Sequence, residues 1–210
     1  MSIWAIVPAK PFEVGKSRLE GVLGTEQRIR LNRWFLHHVL EAVAQVKHLS
    51  RALVISRSAE VLDFARRRGA AILPEGDVSD LNEALRLATA YAIGGSAQIV
   101  MIIPIDLPLL TAQDIEELLS AAREGSSLAL AADRSETGTN GLLVPAGGIR
   151  YRFGPGSLAR HLTEAQSRGL SAAVLRTAGW GLDIDNAADY TQLVRSHPGV
   201  ASCVANLGSD

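Results

Sequence analysis

Met101-Ile102-Ile103-Pro104-Ile105-Asp106-Leu107-Pro108-Leu109-Leu110 carries a single charge, Asp106, in ten residues. The run from Ile99 to Ile103 just before it is apolar and mostly β-branched, so it reads as a short strand buried on both faces. Pro104 and Pro108 stop regular structure on either side of the acid. Asp106 then falls just past the carboxyl end of a central strand, the edge at which open α/β sheets bind ligands. A carboxylate beside a core is costly unless it is paired or holds a cation. A turn-forming aspartate is the alternative reading.

Outward from this strand, extended and helical patterns alternate. Strands are expected at Ile3–Pro8, Arg51–Ser56, Ala70–Leu73, Leu128–Ala132, Leu142–Val144 and Ala172–Leu175. Thr25 is placed to cap a long helix reaching Val46, with Leu31, Phe35, Val39, Ala42 and Val46 on one stripe. Further helices are expected at Ser58–Arg68, closed by Gly69, and at Asn82–Ala92, with Leu81, Leu85 and Ala88 inward. Others run over Ser157–Arg168 and from an Asn186 cap to Arg195, and Thr111 with Asp114 resembles a capping box. Alternating strands and helices predict a three-layer α/β/α sandwich around a mostly parallel, mixed sheet. The strands around 128–144 and 172–184 are candidates for an antiparallel pair.

A chain of 210 residues with a net charge of −1 is one domain. Residues 1–197 are assigned to it, and 198–210 to a loosely ordered tail. Nothing in the charge balance favours nucleic acid or a membrane surface. The single cysteine, Cys203, excludes an internal disulfide framework and a cysteine metal cluster, and fits a cytoplasmic protein. No segment is long and apolar enough to span a bilayer, and Met1-Ser2-Ile3-Trp4 lacks the basic start of a signal peptide. Oligomeric state is not legible.

Four loops carry the polar chemistry. The first holds Lys10, Lys16 and Arg18 directly after the first strand. Gly15-Lys16-Ser17 copies the end of a Walker loop, but position 10 is Lys where that motif needs Gly, so the Walker reading fails. Three cations there suit a triphosphate, or simply a solvated loop. The second, Pro74 to Asn82, offers acceptors and an amide that suit a base edge, and equally suits turn and cap chemistry. The third comprises Asp133 to Gly141 and Phe153-Gly154-Pro155-Gly156-Ser157, rich in small and hydroxyl residues at a helix start where anions bind. Arg160 and His161 stand one turn on and add charge; His161 is the histidine expected to touch substrate. The fourth is Gly181 to Asn186, in which alternation puts Asp183 and Asp185 on one side. Two such carboxylates repel unless a cation separates them. With Asp106 they make an all-oxygen site for a hard ion, Mg²⁺ by preference.

Pro8-Ala9-Lys10-Pro11, Gly15-Lys16-Ser17-Arg18-Leu19, Asp106-Leu107-Pro108, Gly138-Thr139-Asn140, Phe153-Gly154-Pro155-Gly156-Ser157 and Leu182-Asp183-Ile184-Asp185 occur in that order. In this the chain resembles the 2-phospho-L-lactate/phosphoenolpyruvate guanylyltransferases of deazaflavin (coenzyme F-420) biosynthesis, from about Ile3 to Val194. The resemblance implies a Rossmann-like nucleotidyltransferase fold, GTP, Mg²⁺ and a phosphorylated three-carbon acid. It matches Asp106, Asp183 and Asp185 to metal-binding acids, and Thr139, Gly154 and Ser157 to the positions that hold the phospho-acid. Lys10 and Lys16 match the nucleotide loop; Arg18, from the charge of that loop, and Glu75 and Asn82, from the polar groups of the second, are expected as further nucleotide contacts. Many members have Gly-Leu-Asn where this chain has Asp80-Leu81-Asn82.

The expected chemistry needs no general base, because the attacking phosphate is already an anion. Lys10, Lys16 and Asp106 are the expected catalytic groups, which neutralise two anions brought together and stabilise the leaving pyrophosphate. Two alternatives stand beside this reading. One is another nucleotidyltransferase of the same fold, of the molybdopterin guanylyltransferase or sugar-phosphate type. The other is a nucleotide-binding module without turnover.

Overall fold

The computed structural model describes residues 1–78, 80–123, 127–200 and 202. Seven strands form one sheet in the order β3-β2-β1-β4-β6-β5-β7. They are β1 (Ile3–Pro8), β2 (Arg51–Ser56), β3 (Ala71–Pro74), β4 (Ile99–Ile102), β5 (Leu128–Ala132), β6 (Thr139–Pro145) and β7 (Ala172–Leu175). The helices are α1 (Thr25–Ala44), α2 (Ala59–Arg66), α3 (Leu81–Gly94), α4 (Ala112–Arg123), α5 (Ser157–Ser167), the short α6 (Ala178–Gly181) and α7 (Ala187–Ser196).

The central strand is β4, between β1 on one side and β6 on the other. Period-2 alternation sends its side chains into two cores. Met101 and Ile103 join Ala5 and Val7 beneath α1, α2 and α4. Val100 and Ile102 join Trp4 and Ile6 beneath α3 and α5. The three-layer sandwich is therefore present, with both faces of the sheet covered.

The expected antiparallel pair is present as β5 and β6, while the strand at 172–175 does not join it in that sense. Only β6 is reversed, and it pairs antiparallel with both β4 and β5. β7 runs parallel to β5, and residues 182–184 form no strand. A short loop between β5 and β6 makes a hairpin, which must be antiparallel, whereas α5 intervenes before β7 and turns the chain back.

Local starts follow cap chemistry with two corrections. Gly24, not Thr25, is the N-cap of α1; its N–H bonds Gln27 Oε1 at 2.9 Å. Leu81 is not inward: as the first residue of α3 it is 44% exposed, while Leu85 and Ala88 are fully buried. Thr111 and Asp114 do bond reciprocally, with Thr111 N–H to Asp114 Oδ2 at 2.9 Å and Asp114 N–H to Thr111 Oγ1 at 3.2 Å. Most of the tail from 198, Cys203 included, lies outside the described residues; Pro198 to Val200 are helical and Val200 packs on a third apolar cluster. No described helix is long and apolar enough to cross a membrane.

Candidate functional site

A cleft of about 630 Å³ opens at the carboxyl ends of β1, β2, β3 and β4, a size suited to a small-molecule ligand. The loop after β1 forms one wall. Its shape is set by Asn32 of α1, 2% exposed, whose amide donates to Phe12 O at 2.7 Å. A Cβ on Gly15 would stand 2.5 Å from that amide, so the backbone passes where only glycine fits. Lys16 follows in the left-handed region, φ 59°. Its side chain is thereby turned into the cleft, while Lys10 and Arg18 line the same wall with exposed side chains.

Lys16 Nζ lies 2.5 Å from Asp106 Oδ2 and 3.5 Å from Asp185 Oδ1. Burial opposes its charge, but Asp106 first, then Asp185 and Asp183, hold its pKa above the ordinary lysine value. Asp183 is pushed the other way, up to about 6, by burial and then by the Asp106 carboxylate. Asn140 steadies it, donating from one amide nitrogen to Asp183 Oδ1 at 3.2 Å and to Trp180 O at 2.8 Å. Ile184 N–H bonds Asp106 O at 3.2 Å, which ties the two acid-bearing segments together. Leu182 and Ile184, on either side of Asp183, face inward, as the alternation requires.

Two carboxylates, Asp106 and Asp185, thus flank one ammonium, and Asp183 stands near enough to act on its charge. Among the described residues no three acid or imidazole groups stand as a ready-made metal cage. The ammonium of Lys16 is what separates Asp106 from Asp185. One lysine against three acids leaves surplus negative charge, and all the donors are carboxylate oxygens, so the donor set fits a hard divalent cation.

The hydroxyl-bearing loops meet beside β6. Thr139 N–H donates to Ser157 Oγ at 2.9 Å, and Leu158 N–H to Thr137 O at 3.1 Å, which docks the start of α5 on the hairpin. Gly154, at φ 117°, and Gly156, at φ 68°, make the turn into α5. His161 differs from expectation. It is fully buried, and burial followed by Arg160 and Arg152 drives its pKa down to about 4. Its Nε2 accepts from Arg152 N–H at 2.9 Å, so the proton sits on Nδ1, 3.0 Å from Thr139 Oγ1. It therefore adds no charge; it fixes the Thr139 hydroxyl.

In the second loop the groups separate. Asp80 caps α3, accepting from Glu83 N–H at 3.1 Å. Asn82 bonds both ways to the Phe153 backbone, at 2.7 and 3.3 Å, and clasps α3 to the glycine turn. Glu75 alone of the three reaches the cleft with its carboxylate unbonded to backbone. Sequence reasoning missed Asn32, Asn140 and Arg57. Asn140 lay inside a quoted motif, and Asn32 is a polar residue next to the buried stripe of α1; Arg57 carried no signal.

A seven-stranded α/β sheet with acids at the end of β4 and in the segment before α7, and lysines after β1, defines a nucleotidyltransferase. The fold agrees. A Desulfovibrio desulfuricans protein described provisionally as a nucleotide-diphospho-sugar transferase superposes with a TM-score of 0.77 at 15% identity, covering 99% of each chain. Residues 3–200 match the family described as guanylyl transferase CofC like, and the chain belongs to that family. It is 39% identical to the phosphoenolpyruvate guanylyltransferase of Sphaerobacter thermophilus, over 96% of this chain and 97% of the relative. It is 33% identical to the 2-phospho-L-lactate guanylyltransferase of Methanothermobacter thermautotrophicus, over 92% and 85%.

Proposed function

We propose that the chain transfers GMP from GTP to the phosphate of a phosphorylated three-carbon acid, with phosphoenolpyruvate the first choice and 2-phospho-L-lactate the second, in coenzyme F-420 biosynthesis. An acceptor phosphate oxygen bonds to the α-phosphorus of GTP, and the bond to the β-phosphate oxygen breaks to release pyrophosphate. The observation that carries this reading is the meeting of Lys16 with Asp106 and Asp185 at the mouth of β4. Asp106, Asp183 and Asp185 would hold Mg²⁺. When bound, the ion neutralises charge on the reacting phosphates.

The chain's own groups divide the remaining work. Lys10, Lys16 and Arg18 stabilise charge building on the leaving pyrophosphate. Thr139 and Ser157 each use an oxygen lone pair within the protein, Thr139 for His161 and Ser157 for the Thr139 amide. Each hydroxyl keeps its proton to donate to the acceptor anion. Gly154 lets the backbone approach the same anion closely. Orientation for in-line attack, rather than proton removal, is the protein's task. The family likeness to named phosphoenolpyruvate enzymes supports the acceptor.

The test is incubation with GTP, Mg²⁺ and a mixture of phosphoenolpyruvate, 2-phospho-L-lactate and 3-phospho-D-glycerate, with mass spectrometry of the nucleotide product. One guanylylated acid and stoichiometric pyrophosphate are expected. Asp106→Asn should fold normally and lower kcat by about 100-fold or more. Pyrophosphate release near the wild-type rate by a folded Asp106→Asn protein would refute the assignment.

A further inference from the structure

The polar end of the cleft opposite Asp106 is formed by two groups that the transfer chemistry does not use. Arg57 stands one residue past β2 and Glu75 one past β3. Glu75 N–H continues the ladder by bonding Ser56 O at 2.9 Å, which sets the two side chains next to each other. Arg57 Nε is 3.7 Å from Glu75 Oε2, an ion pair longer than a hydrogen bond. The Glu75 side chain is only 12% exposed, yet its carboxylate accepts no hydrogen bond among the described residues. A mostly buried acid in that state awaits donors. Leu81, 44% exposed at the start of α3, presents an apolar surface to the same end of the cleft.

We propose that Glu75 and Arg57 read the pairing edge of guanine: the carboxylate accepts from N1–H and the 2-amino group, and the guanidinium donates to O6. The inference rests on the guanylyl-transfer reading above. Guanine presents two adjacent donors and an acceptor along this edge, which is the complement of an acid beside an arginine. Adenine presents a bare N1 lone pair to the carboxylate and has no 2-amino group, so it leaves the acid unpaired and repelled. Sites built on such bonds discriminate strongly because the wrong ligand strands a buried polar group. The spacing suits a nucleotide. The ends of β2 and β3 lie two to three strands from the end of β4, about 10–14 Å at ~4.8 Å per strand. That is the reach from a purine's pairing edge to its α-phosphate. Leu81 would cover a face of the ring.

The experiment is calorimetric titration of the full chain with GTP, ITP and ATP in Mg²⁺, without acceptor. ITP lacks only the 2-amino group. The wild type is expected to bind GTP about tenfold or more tighter than ITP, and ATP weakest. Glu75→Gln and Glu75→Ala should bring the GTP/ITP ratio to within about threefold of unity. Arg57→Ala should weaken both nucleotides alike, since both keep O6, and leave their ratio as in the wild type. The ratio is read on one protein sample, so partial loss of folded variant does not alter it. A wild-type GTP/ITP ratio in Glu75→Gln overturns the proposal, as does equal binding of GTP and ITP by the wild type. Absence of transfer with every phospho-acid, alongside a ratio that collapses in Glu75→Gln, removes the transferase reading and keeps guanine recognition.

Discussion

His161 is a titratable group held in its neutral form by two bonds of opposite sense. Protonating Nε2 would set an N–H against the Arg152 N–H and place a charge in a fully buried position beside Arg160 and Arg152. Its pKa therefore stands near 4 in the fold and near the ordinary 6.5 in the unfolded chain. The sign follows: above pH 6.5 neither state binds the proton, and between 6.5 and 4 the unfolded state binds it first. Stability present above pH 6.5 is lost as pH falls toward 4, by about 2 kcal/mol at pH 5. Denaturant unfolding at pH 7.5 and pH 5 should record this loss in the wild type. In His161→Asn, which keeps a donor to Thr139 but cannot titrate, the pH-dependent part should shrink by most of that amount. An equal loss in both proteins would sink the account. At this scale the sequence was uneven. Asp183 and Asp185 announced themselves as like charges in alternation, whereas the two partners that neutralise His161 stand nine and 22 residues away and leave no local trace.

The element that positions two of the three acids is the segment from α6 to Asp185, and α4 anchors it. Thr177 Oγ1 donates to Asp114 Oδ1 at 2.6 Å, and Trp180 Nε1 donates to Asp114 O at 3.0 Å. Trp180 is fully buried against β6, and a Cβ on Gly141 would come within 2.8 Å of its ring. Gly179 passes so close to Asp114 that a Cβ would stand 2.2 Å from the carboxylate. Gly179→Ala should therefore cost about 1–3 kcal/mol through overpacking. For a chain of this size, that is about 2–4 °C of melting temperature per kcal/mol. Turnover should fall with it, because the acids ride on the displaced segment. Gly181→Ala is the control two residues on: its nearest neighbour, in Arg134, would be 3.9 Å from the new Cβ. Its melting temperature should stay within about 1 °C of wild type. Equal effects of the two substitutions on calorimetric melting would contradict this account. α6 was not legible as an element, since four residues show no helical period. The long helices and β4 were, because fully apolar runs and caps act locally; the direction of β7 was not, because it depends on which strand it meets.

Across the whole molecule the site rests on a small core of its own. Leu19 from the lysine wall, Phe35 from α1, Ile184 from between the acids and Leu193 from α7 form one buried cluster, apart from the two that sandwich the sheet. The loop that bears the cations and the segment that bears the acids are thus joined beneath the cleft by apolar contact and above it by the ammonium of Lys16. A phosphate reaching the end of β4 meets the carboxylates of Asp106 and Asp185, and Lys16 is already engaged by both. Triphosphate binding should then be weak without a divalent cation and strong with one. Ligand at about 100 times its Kd adds about 2.7 kcal/mol to the folded state. For a domain of this length that is a rise in melting temperature of about 5–10 °C. GTP with Mg²⁺ should give this rise, GTP with EDTA at most about a third of it, and Mg²⁺ alone less still, as read by differential scanning calorimetry. Asp106→Asn should lose most of the shared rise, because its neutral amide removes one of the oxygens that hold the ion while Asp185 still retains Lys16. If GTP in EDTA stabilises the wild type as much as GTP with Mg²⁺ does, the acids are not holding a cation for the nucleotide, and the lysines alone bind it.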